Sequence, residues 1–332
     1  MSKIRKLYYF DKKKTLEMIS FLNNDAGNSY INGIMFNPLI LLHHFLPLRF
    51  KYLPESYVLH EKNDIKGLIT VAPIKGIQRK VEIKKLFFEE NSYETAAELV
   101  QYAVSKYKAM GAASIVVRVD DYLPELLSLF VSKCGFSQIS YERLWRVVQF
   151  PDAEYDKQNY RYFRNSDSQT IASIYNDSLL PHFRSLLSME SKELTEDVFK
   201  GLSYISEYKY TIINKTTRNI VGCIIIRTPD NENYLLDIIH SHWIDADINA
   251  ILSFAADKIR QRNKKFGLFV RTKKYTNQGE AYDKLFMENG FECSQTQCIL
   301  TNSSAKVLKV KEKTGKFTAI GDFYPSSNIM PI

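Results

Sequence analysis

The feature that most constrains this chain is an internal recurrence. The segment LLSLFVSKCGF, ending at Phe136, and the segment YDKLFMENGF, ending at Phe291, each carry an apolar stripe, a polar turn and then Gly-Phe. In both, glycine (Gly135 and Gly290) can take the left-handed conformation that closes a helix, and the next Phe can return to a core. One such match says little. The recurrence becomes informative because the same order of elements precedes each copy.

In the first copy, YVLHEKNDIKGLITVAPI from Tyr57 reads as strand, turn, strand, with Asn63 and Asp64 at the turn. VEIKKLFFEE from Val81 reads as a third strand. A helix is expected over 94–110, because Ala96, Leu99, Val100, Ala103, Tyr107 and Met110 recur at helical spacing before Gly111. SIVVRVD from Ser114 has the apolar density of a buried strand. Pro124 suits the first turn of a second helix, whose buried face is Leu126, Leu127, Phe130 and Val131. FSQISYERLWRVVQF then supplies strand material, either one strand or two split near Glu142.

The second copy runs in the same order. YKYTIINKTTRNIVGCIIIRTPD is strand, turn, strand, with the turn at 217–219, and NYLLDIIHSHW is the third strand. A helix over 247–260 gathers Ile248, Ile251, Leu252, Ala255 and Ile259 on one face. FGLFVRTKK, GEAYDKLFMENGF and FECSQTQCILTN give strand, helix and strand. A short helix over 15–22 and a loop or lid over 23–38 precede the first copy. A strand over 160–165 and helices over 170–180 and 193–203 precede the second. The polar, turn-rich PDAEYDKQNY begins at Pro151, so the boundary is placed there, giving domains 1–150 and 151–332. A chain of 332 residues suits two such cores better than one.

The net charge of +8 could attract nucleic acid, an anionic membrane or a phosphorylated cofactor, or could simply keep a Lys-rich surface soluble. No zinc knuckle, GXXG clamp or repeated Arg/aromatic platform is visible. The apolar run Ile34–Leu48 is broken by Asn37, Pro38, His43, His44 and Pro47, so no membrane span is expected. The basic N-terminus lacks the apolar run of a secretory signal, and a cytoplasmic location is the expectation. The four cysteines form no C-x-x-C pair. Cys134 and Cys223 sit in apolar settings that favour buried thiols.

On the repeated order and the two Gly-Phe endings, the chain resembles a tandem member of the GNAT acyltransferase superfamily over 57–148 and 208–301. The resemblance implies an α/β (α+β) protein of two tandem GNAT-like domains, each a mixed central sheet flanked by helices. It implies acetyl-CoA or another acyl-CoA as donor and a small-molecule or peptide amine as acceptor. The donor's pyrophosphate would sit on the backbone at the start of the helix after the third core strand. The family's loop there is Arg or Gln, two residues, Gly, one residue, then Gly or Ala. In the first half those positions fall on Asn91, Glu94 and Ala96, of which only Ala96 fits. In the second they fall on Trp243, Ala246 and Ile248, with the acids Asp245 and Asp247 in the first turn. Such acids cap helices well and sit poorly beside phosphate.

The family's tyrosine acid, four residues before the glycine, is Val131 in one half and Phe286 in the other; Tyr282 lies one turn earlier. Candidate catalytic residues are therefore His240 as a base at the end of a core strand, Tyr282 as an acid and Glu82 as a water-relayed proton acceptor. Candidate donor-binding positions are Ala246, Asp247, Ile248 and Ala96. Each has a plainer role available: a structural histidine, a packed tyrosine, a solvent-side glutamate in VEIKK, and ordinary helix starts. Alternation puts His240 and His242 on one strand face and Asp237 on the other. No third ligand is visible beside them, and no metal is expected. The Lys-rich SSAKVLKVKEKTGKF suits an acidic partner or an exposed strand guarded by lysines, and GDFYPSSNIMPI suits an ordered tail or a partner contact. The leading function is N-acyl transfer from an acyl thioester to an amine. The alternatives are a non-catalytic tandem module binding a protein or small ligand, and a transferase drawing on aminoacyl-tRNA.

Overall fold

The computed structural model describes residues 3–18, 54–62, 64–74, 77–89, 92–151, 153–195, 206–241 and 247–303. After a short strand β1 (Lys3–Lys6) and helix α1 (Lys12–Met18), the first half runs β2 (Glu55–Glu61), β3 (Asp64–Ile74), β4 (Ile77–Phe88), α2 (Tyr93–Ala109) and β5 (Ser114–Asp120). It closes with α3 (Pro124–Ser128), a wide turn through Leu129–Lys133, and β6 (Ser137–Arg146). The link carries β7 (Tyr160–Tyr162), α4 (Ser168–Ser178), α5 (Arg184–Leu187) and α6 (Ser191–Leu194). The second half runs β8 (Ser206–Ile213), β9 (Ile220–Thr228), β10 (Asn233–His240), α7 (Ile248–Arg260), β11 (Gly267–Lys273), α8 (Gly279–Glu288) and β12 (Glu292–Ser303). The repeated order read from the residues is thus the order of the fold. Gly135 and Gly290 take φ of +68° and +72° at the two helix ends, as the Gly-Phe signature requires.

All twelve strands form one sheet in the order β1-β2-β3-β4-β5-β12-β6-β11-β10-β9-β8-β7. The halves trade their last strands. β12 pairs antiparallel with β5 of the first half, β6 pairs antiparallel with β11 of the second, and β12 and β6 pair with each other at the centre. Each half therefore completes the other's sheet.

The two faces of the sheet follow from strand alternation. On one face α2 packs Ala96, Leu99, Val100 and Ala103 against Tyr57, Ile69, Val81, Ile115 and Val117. In the second half α7 does the same with Ile248, Ile251, Leu252 and Ala255 against Tyr234, Leu236 and Leu268. On the opposite face α4 lays Ile171, Ala172 and Tyr175 over Cys223, Ile225 and Ile239. Cys134 and Cys223 are buried thiols, as their apolar settings suggest.

Three expectations are corrected. The first helix spans Lys12–Met18 rather than 15–22, of which 19–22 lie outside the described residues. Of the helix expected over 193–203, Ser191–Leu194 is helical and Thr195 has left the helix, while 196–203 lie outside the described residues. β6 is one strand, not two split near Glu142: Glu142 lies in mid-strand and is completely buried. A lone acid in an alternating strand reads as a break, whereas here cations from neighbouring strands hold it. The 23–38 loop, His43, His44, His242 and the Lys-rich tail lie outside the described residues.

Candidate functional site

The sheet has two gaps in its ladder, one in each half. β4 and β5 pair in parallel from Lys80↔Ser114 to Ile83↔Val117, and the ladder then stops although β4 continues to Phe88 and β5 to Asp120. β10 and β11 pair from Asn233↔Gly267 to Leu236↔Val270 and likewise part before His240 and Lys273. Beyond each stop, alternate peptide groups of two strands face the gap, and a helix start lies past the end of β4 or β10.

The two helix starts are built differently. Asp247 caps α7 with its own carboxylate, which accepts from the Ala250 N–H at 2.9 Å. The carboxylate sits where a donor phosphate would have to approach. Ser92 caps α2 without any side-chain hydrogen bond. The Ala96 N–H donates to the Ser92 carbonyl at 3.2 Å, so the orphan donors of this turn belong to Tyr93, Glu94 and Thr95 rather than to Ala96. Ala96 itself is buried in the first-half core, and Ile248 is buried in the second. Ala246 lies outside the described residues.

The second gap is also crossed by protein. The Gln278 side chain donates to the His240 carbonyl at 2.6 Å, taking up a backbone acceptor at the end of β10. His240 is buried and its ring lies against Gly222, where an added Cβ would stand 2.3 Å from the Ile239 carbonyl. Tyr282 is buried and stacked on Phe286, with ring centroids 6.1 Å apart. Its hydroxyl has no hydrogen-bond partner, and burial pushes its pKa up. Val131 is exposed and Phe286 buried, so neither position of the family's tyrosine carries a proton donor.

Between the gaps runs a line of charge on the α4 face. Arg118 of β5 and Arg271 of β11 are the first residues past the last parallel pair in each half. Both reach the same carboxylate: Arg118 Nε lies 3.1 Å and Arg271 Nη1 3.3 Å from Glu142 Oε2. The Tyr275 hydroxyl donates to Glu142 Oε1 at 2.6 Å. Burial works to raise the Glu142 carboxyl, but Arg118, Arg271 and Lys273 prevail and hold it down at about 2. Asp237, on the α4 face opposite His240, pairs with Arg227 at 2.5 Å and with Lys273 at 3.3 Å. Burial opposes its ionisation as well, and Arg271, Lys273 and Arg227 keep its pKa lowered.

Glu82, expected as a solvent-side residue or a proton acceptor, stands at the first-half end of this line. It accepts from Arg118 Nη1 at 2.5 Å and also from Lys84. Burial raises and these cations lower its pKa, with a net lowering. A glutamate that sequence reasoning missed lies close by. Glu193 of α6 is half-buried on the link, and Lys80 of β4 ties that link to the first half by donating to the Ser188 carbonyl at 2.5 Å. Burial pushes the Glu193 carboxyl up to about 6, with Glu190 and Glu82 adding to the shift. Locally Glu193 accepts from the Glu190 N–H at 2.8 Å in a capping box, and its burial comes from packing beside β4, more than a hundred residues away in the chain.

Among the described residues no group of three or more His, Cys, Asp and Glu side chains gathers as metal ligands. Among them no helix is long and apolar enough to cross a membrane.

No protein-family model matches the sequence, and no curated protein matches it significantly. Solved structures do. A tandem GNAT protein from the clavulanic acid biosynthesis pathway superposes with a TM-score of 0.61 at 10% identity, covering 91% of this chain and 98% of that one. A GCN5-related N-acetyltransferase from Sphaerobacter thermophilus gives 0.57 at 9% identity over 91% of this chain and 95% of its own. One from Anabaena variabilis gives 0.50 at 12% identity, over 91% and 73%. The architecture is the tandem GNAT fold.

Proposed function

We propose that the protein is an N-acyltransferase with one donor site per chain, in the gap between β4 and β5. The reading rests on one contrast: the α2 start leaves its backbone donors without a side-chain cap, whereas Asp247 fills the α7 start. A helix N-terminus with open N–H groups suits the diphosphate of acetyl-CoA or another acyl-CoA. The exposed Glu94 in that turn opposes the phosphate, but its charge is screened by water and salt. The second half then acts as scaffold, its gap crossed by Gln278 and its α4–α6 segment laid against β4 of the first half.

In this reading the acceptor is an amine entering on the α4 face. Peptide N–H groups of β4 beyond Ile83 stabilise the oxyanion that forms as the amine attacks the thioester carbonyl. Among the carboxylates near that entrance, Glu193 is the one whose pKa is near neutral, and it takes the amine proton directly or through water. Glu82 holds Arg118 in place and is the alternative acceptor. His240 lies at the bridged end of β10, and Tyr282 is packed in the second-half core.

The test is calorimetric titration with a panel of acyl-CoA thioesters. One saturable site per chain is expected, weakened at least tenfold by Ser92→Asp with no loss of thermal stability. Two sites, no binding across the panel, or an unaltered affinity in the variant would overturn the reading. Glu193→Gln is expected to lower kcat and remove the rise in rate with pH through about 6.

A further inference from the structure

On the outer side of the second half, where β7, β8 and the last turns of α7 meet, an open groove of about 430 Å³ is lined by aromatic rings and cations together. It lies at the C-terminal end of α7, whereas the gap between β10 and β11 faces that helix's start. Tyr160 stacks on Phe254 with centroids 4.1 Å apart and planes inclined by 12°. Tyr162 leans on Tyr210 at 5.1 Å and leaves 67% of its surface in water.

The cations around these rings outnumber the acids. Lys157, Arg161, Lys258 and Arg260 line the groove, against the single carboxylate of Asp257. Arg161 is paired with Asp167 and Arg260 with Asp257, but Lys157 is exposed and Lys258 lies 5.5 Å from the Phe254 ring centre without an ion pair. The positive surface continues along the helix end, where the chain reads KIRQRNKK from Lys258, and Arg262 stacks on Tyr208 at 3.7 Å. Cations at a helix C-terminus are favourable in themselves. That accounts for Lys258 and Arg260 but not for the rings beside them, nor for Lys157 and Arg161, which come from another element.

We propose that this groove binds a single-stranded nucleic acid, stacking a base on the exposed Tyr162 beside the half-buried Tyr155 and Tyr160, and holding phosphates on Lys157, Lys258 and Arg260. An aromatic platform beside an excess of cations is the chemistry such strands use. An acidic peptide fits less well, because the edge strand β7 is only Tyr160–Tyr162, too short to template strand addition. The groove's volume accommodates a ligand of nucleotide size. The platform escaped the sequence because its parts come from three separated segments, around Tyr155, Tyr210 and Lys258. The proposal is independent of the acyl-transfer reading, which uses the other half.

The test is fluorescence anisotropy of the full chain with a labelled oligouridylate of roughly twelve nucleotides, in a salt series. Saturable binding is expected, weakening steeply with salt. Tyr162→Ala should weaken it by at least about fivefold and leave the salt slope unchanged, since stacking on one ring contributes on that scale. Lys157→Glu with Arg260→Glu should weaken it further and flatten the slope. Both sets of positions are exposed, and circular dichroism of each variant checks the fold. The proposal is overturned if wild type shows no saturation at low salt, if Tyr162→Ala binds like wild type, or if polyglutamate of matched charge competes as well as unlabelled oligouridylate.

Discussion

The two halves share an order of elements and differ where a ligand would enter. In the first half the gap between β4 and β5 meets a helix start without a side-chain cap. In the second, a carboxylate closes the helix start and a glutamine bridges the end of the third strand. The two helix starts are thus capped differently, while side chains join the strands in both halves: Arg118 to Glu82 in the first, Gln278 to the end of β10 in the second. Duplication relaxes the demand on each copy. The second half can spend its polar groups on joining the sheet, provided the first keeps a usable opening. Strand exchange makes this division workable, because β6 and β12 lock the halves into a single sheet and neither needs to be stable alone.

The largest effect should come from the group that both halves share. Glu142→Leu leaves Arg118 and Arg271 with one carboxylate fewer in a buried setting, and breaking such a cluster typically costs about 3–5 kcal/mol. Urea unfolding should show that loss as a single transition displaced to lower denaturant. Two separate transitions would mean that the halves fold independently and that the comparison between them rests on two domains, not one sheet.

Acid should expose the same cluster. Glu142 is held at about 2, as is Glu207 of β8, which pairs with Arg227 at 2.7 Å and Lys209 at 2.8 Å, against about 4.5 for both when unfolded. A depressed carboxyl contributes stability that is complete above its unfolded pKa and disappears as pH falls through its folded one. Stability should therefore decline between about pH 4.5 and pH 2, and the Glu142→Leu variant should decline less. Equal slopes for the two proteins would show that the arginines do not hold Glu142 ionised.

Much of the scaffold was legible because it rests on local signals: apolar spacing in α2 and α7, Pro124 at a helix start, and glycine at the two positive-φ closures. Strand exchange was not legible, since nothing within FSQISYERLWR or FECSQTQCILTN states which neighbour each strand will find. Glu142 misled for the same reason. Its burial is made tolerable by Arg118 and Arg271, which arrive from β5 and β11. Of the candidate site, Asp247 was readable as a cap and is one. The capping box of Glu190 and Glu193 is local, but the burial of Glu193 and the bridging by Gln278 depend on contacts across the fold.

The smallest effect sharpens the contrast most. Asp247→Ala removes one capping hydrogen bond, and such a change costs about 1 kcal/mol. If the second gap is closed for donor, the substitution lowers the unfolding midpoint slightly and leaves acyl-CoA affinity and stoichiometry where they were. Gln278 still bridges to the His240 carbonyl, so uncapping the helix does not by itself open the gap. Ser92→Asp is the mirror experiment: it gives the first half the cap of the second, so stability should hold or rise while donor binding falls. If instead Asp247→Ala creates a second donor site, the carboxylate alone was keeping that half silent. The two halves would then differ by one charge rather than by the whole arrangement around the gap.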